Sequence, residues 1–335
     1  MAKIVGIDLG TANTLVCMKG KGIVLRSPSV VAISKSTREI VALGKEARKM
    51  LGKTPEGILA FRPIKDGVIA DFDVTAKMLR AFLEKTDAIS FLSRPSVIVG
   101  IPYAVTEVER RAVEDAVFEA GARSVALIDE PIAAAIGTGL RVGGARGSMI
   151  VNIGGGTTEV AVISLGGIVS SNSIRIAGDE FDEAIISYIR KKYSVLIGDI
   201  SAEELKLRIG SAHPAADFGE ADVCGRNLRT GLGAVLRVSS TDIRCAIEEN
   251  LGQIITAIKT TLEETPPELS SDIYDFGIRL TGGGALLRGI DRLIEEQTGI
   301  KVTRAQRPLE SVCGGILRVI ESEGELGSLL RYRGR

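Results

Sequence analysis

Short apolar runs, each closed by a glycine-bearing polar turn, set the pattern of the N-terminal half. Residues 4–14 read IVGIDLGTANT, and the alternation predicts strands at 3–8, 14–18, 22–26 and 29–34, the last two separated by Pro28. Residues 35–75 are more polar and irregular, with Pro55 and Pro63, and read as a small inserted unit. A helix at 75–86 and a strand at 96–101, ended by Pro102, come next. Thr106 with Glu109 forms a capping box for a helix reaching Ala120. Its predicted apolar face is Val108, Ala112, Val113, Ala116, Val117 and Ala120, and Gly121 closes it. A strand at 124–128 runs into Asp129-Glu130-Pro131 and a helix of small residues.

The second half opens the same way. Residues 150–159 read IVNIGGGTTE, and strands are predicted at 149–153, 158–164 and 168–176. Helices are expected at 179–193 and 202–210, the latter capped by Ser201 with Glu204, with short strands and loops between 211 and 240. Ile243, Ile247, Leu251, Ile254, Ile258 and Leu262 stand at helical spacing in a long helix that Pro266-Pro267 should end. A strand at 276–281 then meets Gly282-Gly283-Gly284 and a further helix. Strands alternating with helices predict an α/β protein with one mixed sheet per half.

Composition narrows the functions open to such a chain. At 335 residues it can bury a sizeable core and holds about two domains or four smaller units. Lys plus Arg and Asp plus Glu both number 42, so no global field draws it to nucleic acid, and 13 Phe and Tyr with no Trp make a poor base-stacking platform. Cys17, Cys224, Cys245 and Cys313 lie far apart without a CxxC pair, which suggests neither zinc site nor disulfide framework. The single histidine, His213, removes a Ser-His-Asp triad and a multi-histidine metal site, and reads as a loop residue before Pro214. MAKIVGIDLG is too soon interrupted by Asp8 for a signal peptide, and no run approaches the roughly 18 apolar residues of a spanning helix. The expected location is the cytoplasm.

The two openings, with Asp8 and Asn152 at matching positions 144 residues apart, read as facing loops that grip phosphates between similar halves. Neither loop contains Lys or Arg, so backbone N–H groups of Gly10, Thr11, Ala12 and Asn13, and of Gly154, Gly155, Gly156 and Thr157, must supply the cradle. Amides give direction but little full charge, which calls for a divalent cation, and hard oxygens suit Mg²⁺, with Asp8 anchoring its hydration shell. Glu130, before Pro131, is expected to be extended where a strand stops, placed to orient water against a terminal phosphate. A carboxylate favoured by the helix dipole is the plainer reading, and it applies equally to Asp129. Gly282, Gly283 and Gly284 would let a nucleoside approach the backbone. Gly178 and Asp179 suit the site or a helix N-cap, and Glu203 and Lys206 suit an adenosine contact or a solvated helix face.

GIDLGTANT, GKTP, RPIKDGVIADFD, VERRAVEDA, LIDEPIAAAIG, GGGTTEVAVISLGGIV, SIRIAGDEFDEAI, TPPELSSDI and LTGGGALLRG together, across nearly the whole chain from 4 to 320, resemble the MreB family of bacterial actin homologues. The resemblance implies an actin-like ATPase fold, with duplicated ribonuclease H-like halves and two inserted small subdomains. Its divisions would be 1–34, 66–140 and 315–335 (IA), 35–65 (IB), 141–177 and 241–314 (IIA) and 178–240 (IIB). It also implies ATP or ADP with Mg²⁺ as ligands, and slow hydrolysis. Paired protofilaments would form at the inner face of the cell membrane, where membrane proteins of the elongation machinery are expected partners, and would guide cell-wall synthesis in rod-shaped cells. By motif position Asp8 and the two loops would hold phosphate and Mg²⁺, and Glu130 would act on water. Glu203, Glu204 and Lys206, with Gly282, Gly283, Gly284 and Ala285, would hold the nucleoside. Ile89, Phe91 and Leu92 occupy the membrane-loop position, with packing beneath the strand at 96 as the alternative, and Arg331, Arg333 and Arg335 suit anionic lipid or a solvated tail. The family's second phosphate motif usually begins with Asp where this chain has Asn152, which implies retained ATP binding with weakened Mg²⁺ coordination and hydrolysis. A small-molecule kinase, a chaperone-type ATPase and a filament protein that binds ATP structurally share the fold.

Overall fold

The computed structural model describes residues 3–89, 93–322, 324 and 326–332. The two halves repeat one topology. In the first, Ile4–Leu9 pairs antiparallel with Asn13–Met18, which pairs with Gly22–Pro28, while Ser96–Ile101 and then Ser124–Asp129 add in parallel on the other side. In the second, Ser148–Ile153 pairs antiparallel with Thr158–Ser164, which pairs with Gly167–Ile174, and Ile278–Thr281 and Val302–Arg304 add in parallel. The strand–hairpin–crossover order fixes where each half turns its glycine loop, which is at the end of its first strand.

Two helices, Glu130–Gly137 and Ser311–Glu321, lie between the sheets. Their buried faces, including Ile132, Ala133, Ala134, Val312, Cys313 and Ile316, share one core with Leu15 and Ile128 of the first sheet and with Ile150, Ala161 and Ile163 of the second. The helices approach closely because Gly137 faces the Ser311 carbonyl and Gly315 faces the Ala133 carbonyl, where a Cβ would collide with backbone. Helices Phe72–Lys85 and Glu107–Glu119 cover the first sheet's other face, and Gly178–Tyr193 and Ser240–Glu263 cover the second's. Residues read as irregular form a sheet of Val31–Ser34, Ile40–Leu43 and Ile58–Phe61 with helix Lys45–Met50. A sheet of Val195–Leu196, Glu220–Asn227 and Gly233–Ser239 lies in the other half.

Several sequence expectations are corrected. Val108 is 78% exposed, so the apolar face of its helix begins later, although the Thr106–Glu109 capping box is present. The helix expected at 202–210 is Asp199–Ile209 with Gly198 as N-cap, which puts Ser201 inside its first turn. Pro266-Pro267 ends one helix but also starts another, Pro267–Phe276, because proline suits a first turn whose N–H groups have no helical partner. His213 does more than fill a loop: its Nδ1 accepts from the Ala215 N–H at 3.1 Å and its Nε2 meets Glu296 at 2.9 Å. Ile89 packs partly buried against the first core, while Phe91 and Leu92, like Arg333 and Arg335, lie outside the described residues. No helix among the described residues is long and apolar enough to cross a membrane.

The longest helix depends on Asp242. Ser239 and Asp242 form a reciprocal capping box, and Asp242 also accepts from Lys192 at 2.6 Å and Tyr193 at 3.0 Å. Burial opposes its charge, but the hydrogen bonds from Lys192, Ser239 and Tyr193 outweigh it and hold the carboxyl down to about 2. Its stabilisation is therefore fully present above the unfolded carboxyl's pKa of about 4 and lost as pH falls toward 2. Asp242→Ala should cost about 1–2 kcal/mol at pH 7. Urea unfolding should show that deficit shrinking below about pH 4.

Candidate functional site

The first strand of each half ends in a tight loop, and the two loops meet. Gly155 faces Ala12, where a Cβ would lie 2.8 Å from the Ala12 Cβ, and Gly156 faces Thr11 Oγ1, where it would lie at 2.9 Å. A side chain at either glycine would collide, so the second loop reaches this close to the first only with glycine at 155 and 156. Ser29 fixes the first loop, donating from Oγ to the Gly10 carbonyl at 2.6 Å and from N–H to the Ala12 carbonyl at 3.0 Å. In the second loop the Gly154 N–H donates to the Thr157 carbonyl at 2.8 Å, and the Asp179 N–H reaches the Gly155 carbonyl at 2.8 Å.

Above the loops opens a cleft of about 320 Å³. Asp8, Gly10, Thr11, Ala12 and Asn13 line it from the first half, with Glu130. Asn152, Gly154, Gly155, Gly156, Thr157, Gly178, Asp179, Glu203, Lys206, Gly282 and Gly283 line it from the second. Three candidates do not line it: Glu204 is exposed on the far side of its helix turn, Ala285 is fully buried, and Gly284 packs against the Ile153 side chain.

Carboxyl groups gather at the floor. Burial pushes Asp8 up to about 7. Glu130 is held well above the usual carboxylate range by burial, then by the negative charges of Glu159 and Asp8. Glu159 lies on the strand after the second loop; burial raises it to about 8, against a hydrogen bond from the Tyr103 N–H at 2.8 Å and with Asp129 adding to the rise. Asn152, 7% exposed, pairs across the ladder with Glu159, so an amide stands where a further carboxylate would join this group. Glu130 opens its helix, and the extended residue expected there is Asp129 instead (φ −66°, ψ 127°).

The cleft is less bare of cations than its loops. Arg62, from the inserted unit, lines it and pairs with Asp179 at 2.5 Å; Asp179 lies inside the first turn of a helix whose N-cap is Ala177, and Glu180 accepts the Ala177 N–H at 2.8 Å. Arg48 pairs with Glu203 at 2.8 Å, so two ion pairs join the halves beside the cleft. Lys206 is engaged, donating to the Gly178 carbonyl at 2.6 Å and to Asp182 at 2.9 Å. Burial pushes Asp182 up to about 7, only partly offset by Lys206.

Gly282 has φ +83°, and a Cβ there would meet the Ile153 carbonyl and lie 2.7 Å from Asn152 Oδ1. Gly282→Ala should lower stability by about 2–3 kcal/mol. Urea denaturation would measure the loss.

Residues 2–327 match the family described as MreB/Mbl protein. The cell shape-determining protein MreB of Escherichia coli (strain K12) is 53% identical over 320 residues, covering 94% of this chain and 92% of that protein. The cell shape-determining protein Mbl of Bacillus subtilis (strain 168) is 46% identical over 314 residues, covering 94% of each. The crystal structure of MreB5 of Spiroplasma citri bound to ADP superposes with a TM-score of 0.92 at 35% identity, covering 98% of this chain and 99% of that one.

Proposed function

Since the chain belongs to the MreB/Mbl family, we propose that it is an ATP-binding, actin-like cytoskeletal protein whose filaments help determine rod cell shape by guiding cell-wall synthesis. One observation carries the reading: two matched glycine loops in contact across a cleft, with Asp8, Asn152 and Glu130 at its floor. A similar protein, MreB5, was crystallised with ADP, which supports an adenine nucleotide as the ligand.

In this reading the amides of residues 10–13 and 154–157 cradle the phosphates, and Gly282 and Gly283, with Glu203 and Lys206, face the nucleoside. Asp8 and the amide oxygen of Asn152 are hard donors. Among the described residues no cluster of three His, Cys, Asp or Glu is arranged to hold a metal, so the set fits a cation held chiefly by phosphate oxygens and water. Mg²⁺ held there, anchored through water by Asp8, would offset the charge of the triphosphate. Glu130 orients the attacking water. The amide at Asn152 keeps an acceptor oxygen but not the charge, so turnover is slow.

We assign the subdomains as 1–34, 66–140 and 315–335, then 35–65, then 141–177 and 241–314, and finally 178–240. Filaments assemble as paired protofilaments on the cytoplasmic membrane surface, where elongation-machinery membrane proteins are the partners. Ile89, Phe91 and Leu92 are the proposed membrane contact. Sedimentation with ATP, with and without lipid vesicles, tests the proposal. ATP-dependent pelleting, increased by vesicles, is expected; a soluble monomer that phosphorylates a small molecule would instead identify a kinase of the same fold.

A further inference from the structure

The C-terminal strand reaches the cleft from behind. Arg331–Tyr332 pairs antiparallel with Ala126 and Leu127, forming the edge of the first sheet. From that edge Arg331, its side chain 44% exposed, donates from Nη2 to Asp129 Oδ2 at 2.6 Å, although only 6% of the Asp129 side chain is exposed. This replaces the expectation that Arg331 belongs to a solvated or lipid-facing tail.

Asp129 is the last residue of its strand and the N-cap of the helix that Glu130 opens, yet its side chain makes no capping hydrogen bond. Its other oxygen, Oδ1, is buried and has no hydrogen-bond partner among the described residues. Burial raises its pKa against the opposing charges of Arg331 and Arg110. Arg110 also pairs with Glu107 at 3.3 Å, so Arg331 makes the short direct contact. On the neighbouring strand Asp129 stands in register with Ile101, and two residues on the Tyr103 N–H holds Glu159, whose own Oε2 is buried with no hydrogen-bond partner among the described residues. The Asp129–Glu130 turn therefore has carboxylates on the cleft side and, on the other, the direct contact of Arg331 with the charge of Arg110 nearby.

We infer that Arg331 is a positioning residue: its ion pair with Asp129 fixes the strand-to-helix turn from which Glu130 enters the cleft. The inference rests on the proposed ATPase reading and extends it to the C-terminal strand. A positive charge on a long side chain suits the task because, through a single short contact, it holds a buried carboxylate in place. Without it Asp129 keeps a buried charge with its nearest partner gone, and either takes a proton or turns toward Arg110. Glu130 is the next residue, so either response displaces it. Neither Arg331 nor Asp129 is among the described residues that line the cleft, so binding of the nucleotide should be spared.

Single-turnover hydrolysis of Mg·ATP, with ATP affinity measured by calorimetry, tests this in the full chain carrying Arg331→Ala, Arg331→Lys or Asp129→Asn. Each is made in the native and the Asn152→Asp backgrounds. Arg331→Ala should slow hydrolysis about tenfold with affinity changed less than about twofold. Arg331→Lys should recover most of the rate, and Arg331→Ala should add no further loss to Asp129→Asn. An unchanged rate, a rate and affinity that fall together, or failure of lysine to rescue would overturn the inference, as would an effect confined to vesicle binding. If Arg331→Ala does not fold, the Lys variant against Arg331→Gln gives the same comparison. Should neither parent hydrolyse ATP, the ATPase reading fails and this inference with it; a parent that hydrolyses and an Arg331→Ala variant that matches it would overturn the inference alone.

Discussion

Asn152→Asp should raise Mg²⁺-dependent ATP hydrolysis by about ten- to a hundredfold, the range that an outer-shell ligand to a metal typically controls. Asn152 stands at the end of the second half's first strand, where Asp8 stands in the first, and both line the cleft floor. The amide preserves the shape of the loop, since its Oδ1 sits beside Gly282 in a space with no room for another atom. What it lacks is charge, and a divalent cation with its ordered waters responds to charge. The same substitution should cost the nucleotide-free protein about 1–3 kcal/mol, because a carboxylate at 152 joins Glu159 across the ladder in a floor where burial already raises three carboxyl groups. Mg·ATP should recover that loss. Steady-state phosphate release, with thermal unfolding with and without Mg·ATP, would measure both effects, and equal Mg²⁺-dependent rates for the two proteins would reject the role given to Asn152.

Removing the water-orienting carboxyl should act in the other direction. Glu130→Gln is expected to cut hydrolysis about 10²- to 10³-fold while ATP affinity stays within about threefold. Burial, Glu159 and Asp8 all oppose the charge of Glu130, while glutamine keeps its shape and can hold a water but cannot accept its proton. The variant should therefore fold with native stability, which separates loss of chemistry from loss of structure. A Glu130→Gln protein that turns over ATP at the parent rate would assign the water to another group. One that loses ATP affinity to the same degree as rate would make Glu130 a binding residue.

Where small residues and local pattern determine structure, the sequence was readable. The two glycine loops, the strands leading into them and the capping box at Thr106 each depend on neighbours within a few positions, and each is found as read. Features set by packing between residues far apart in the chain leave no local pattern to read. Arg62 is distant from both loops in sequence, and only the folding of the inserted unit brings it to Asp179. Arg331 looks like part of a basic tail until strand pairing carries it to Asp129. Val108 fits a helical stripe numerically but lies in the first turn, where its side chain is exposed. Pro266-Pro267 reads as a stop, although a proline stops one helix and starts the next by the same geometry. Glu159 went unread, yet it carried a signal: a single acid inside TEVAVIS, a run buried along its whole length, has to find a polar partner or lose its charge.

Titration calorimetry of Mg·ATP into the intact chain tests the central claim most directly, with Gly155→Val as the control that fills the space between the two loops. Saturable uptake of one ATP per chain, abolished by the control, is the predicted result. No heat of binding at high protein concentration, or equal uptake by Gly155→Val, would contradict a nucleotide held between the paired loops.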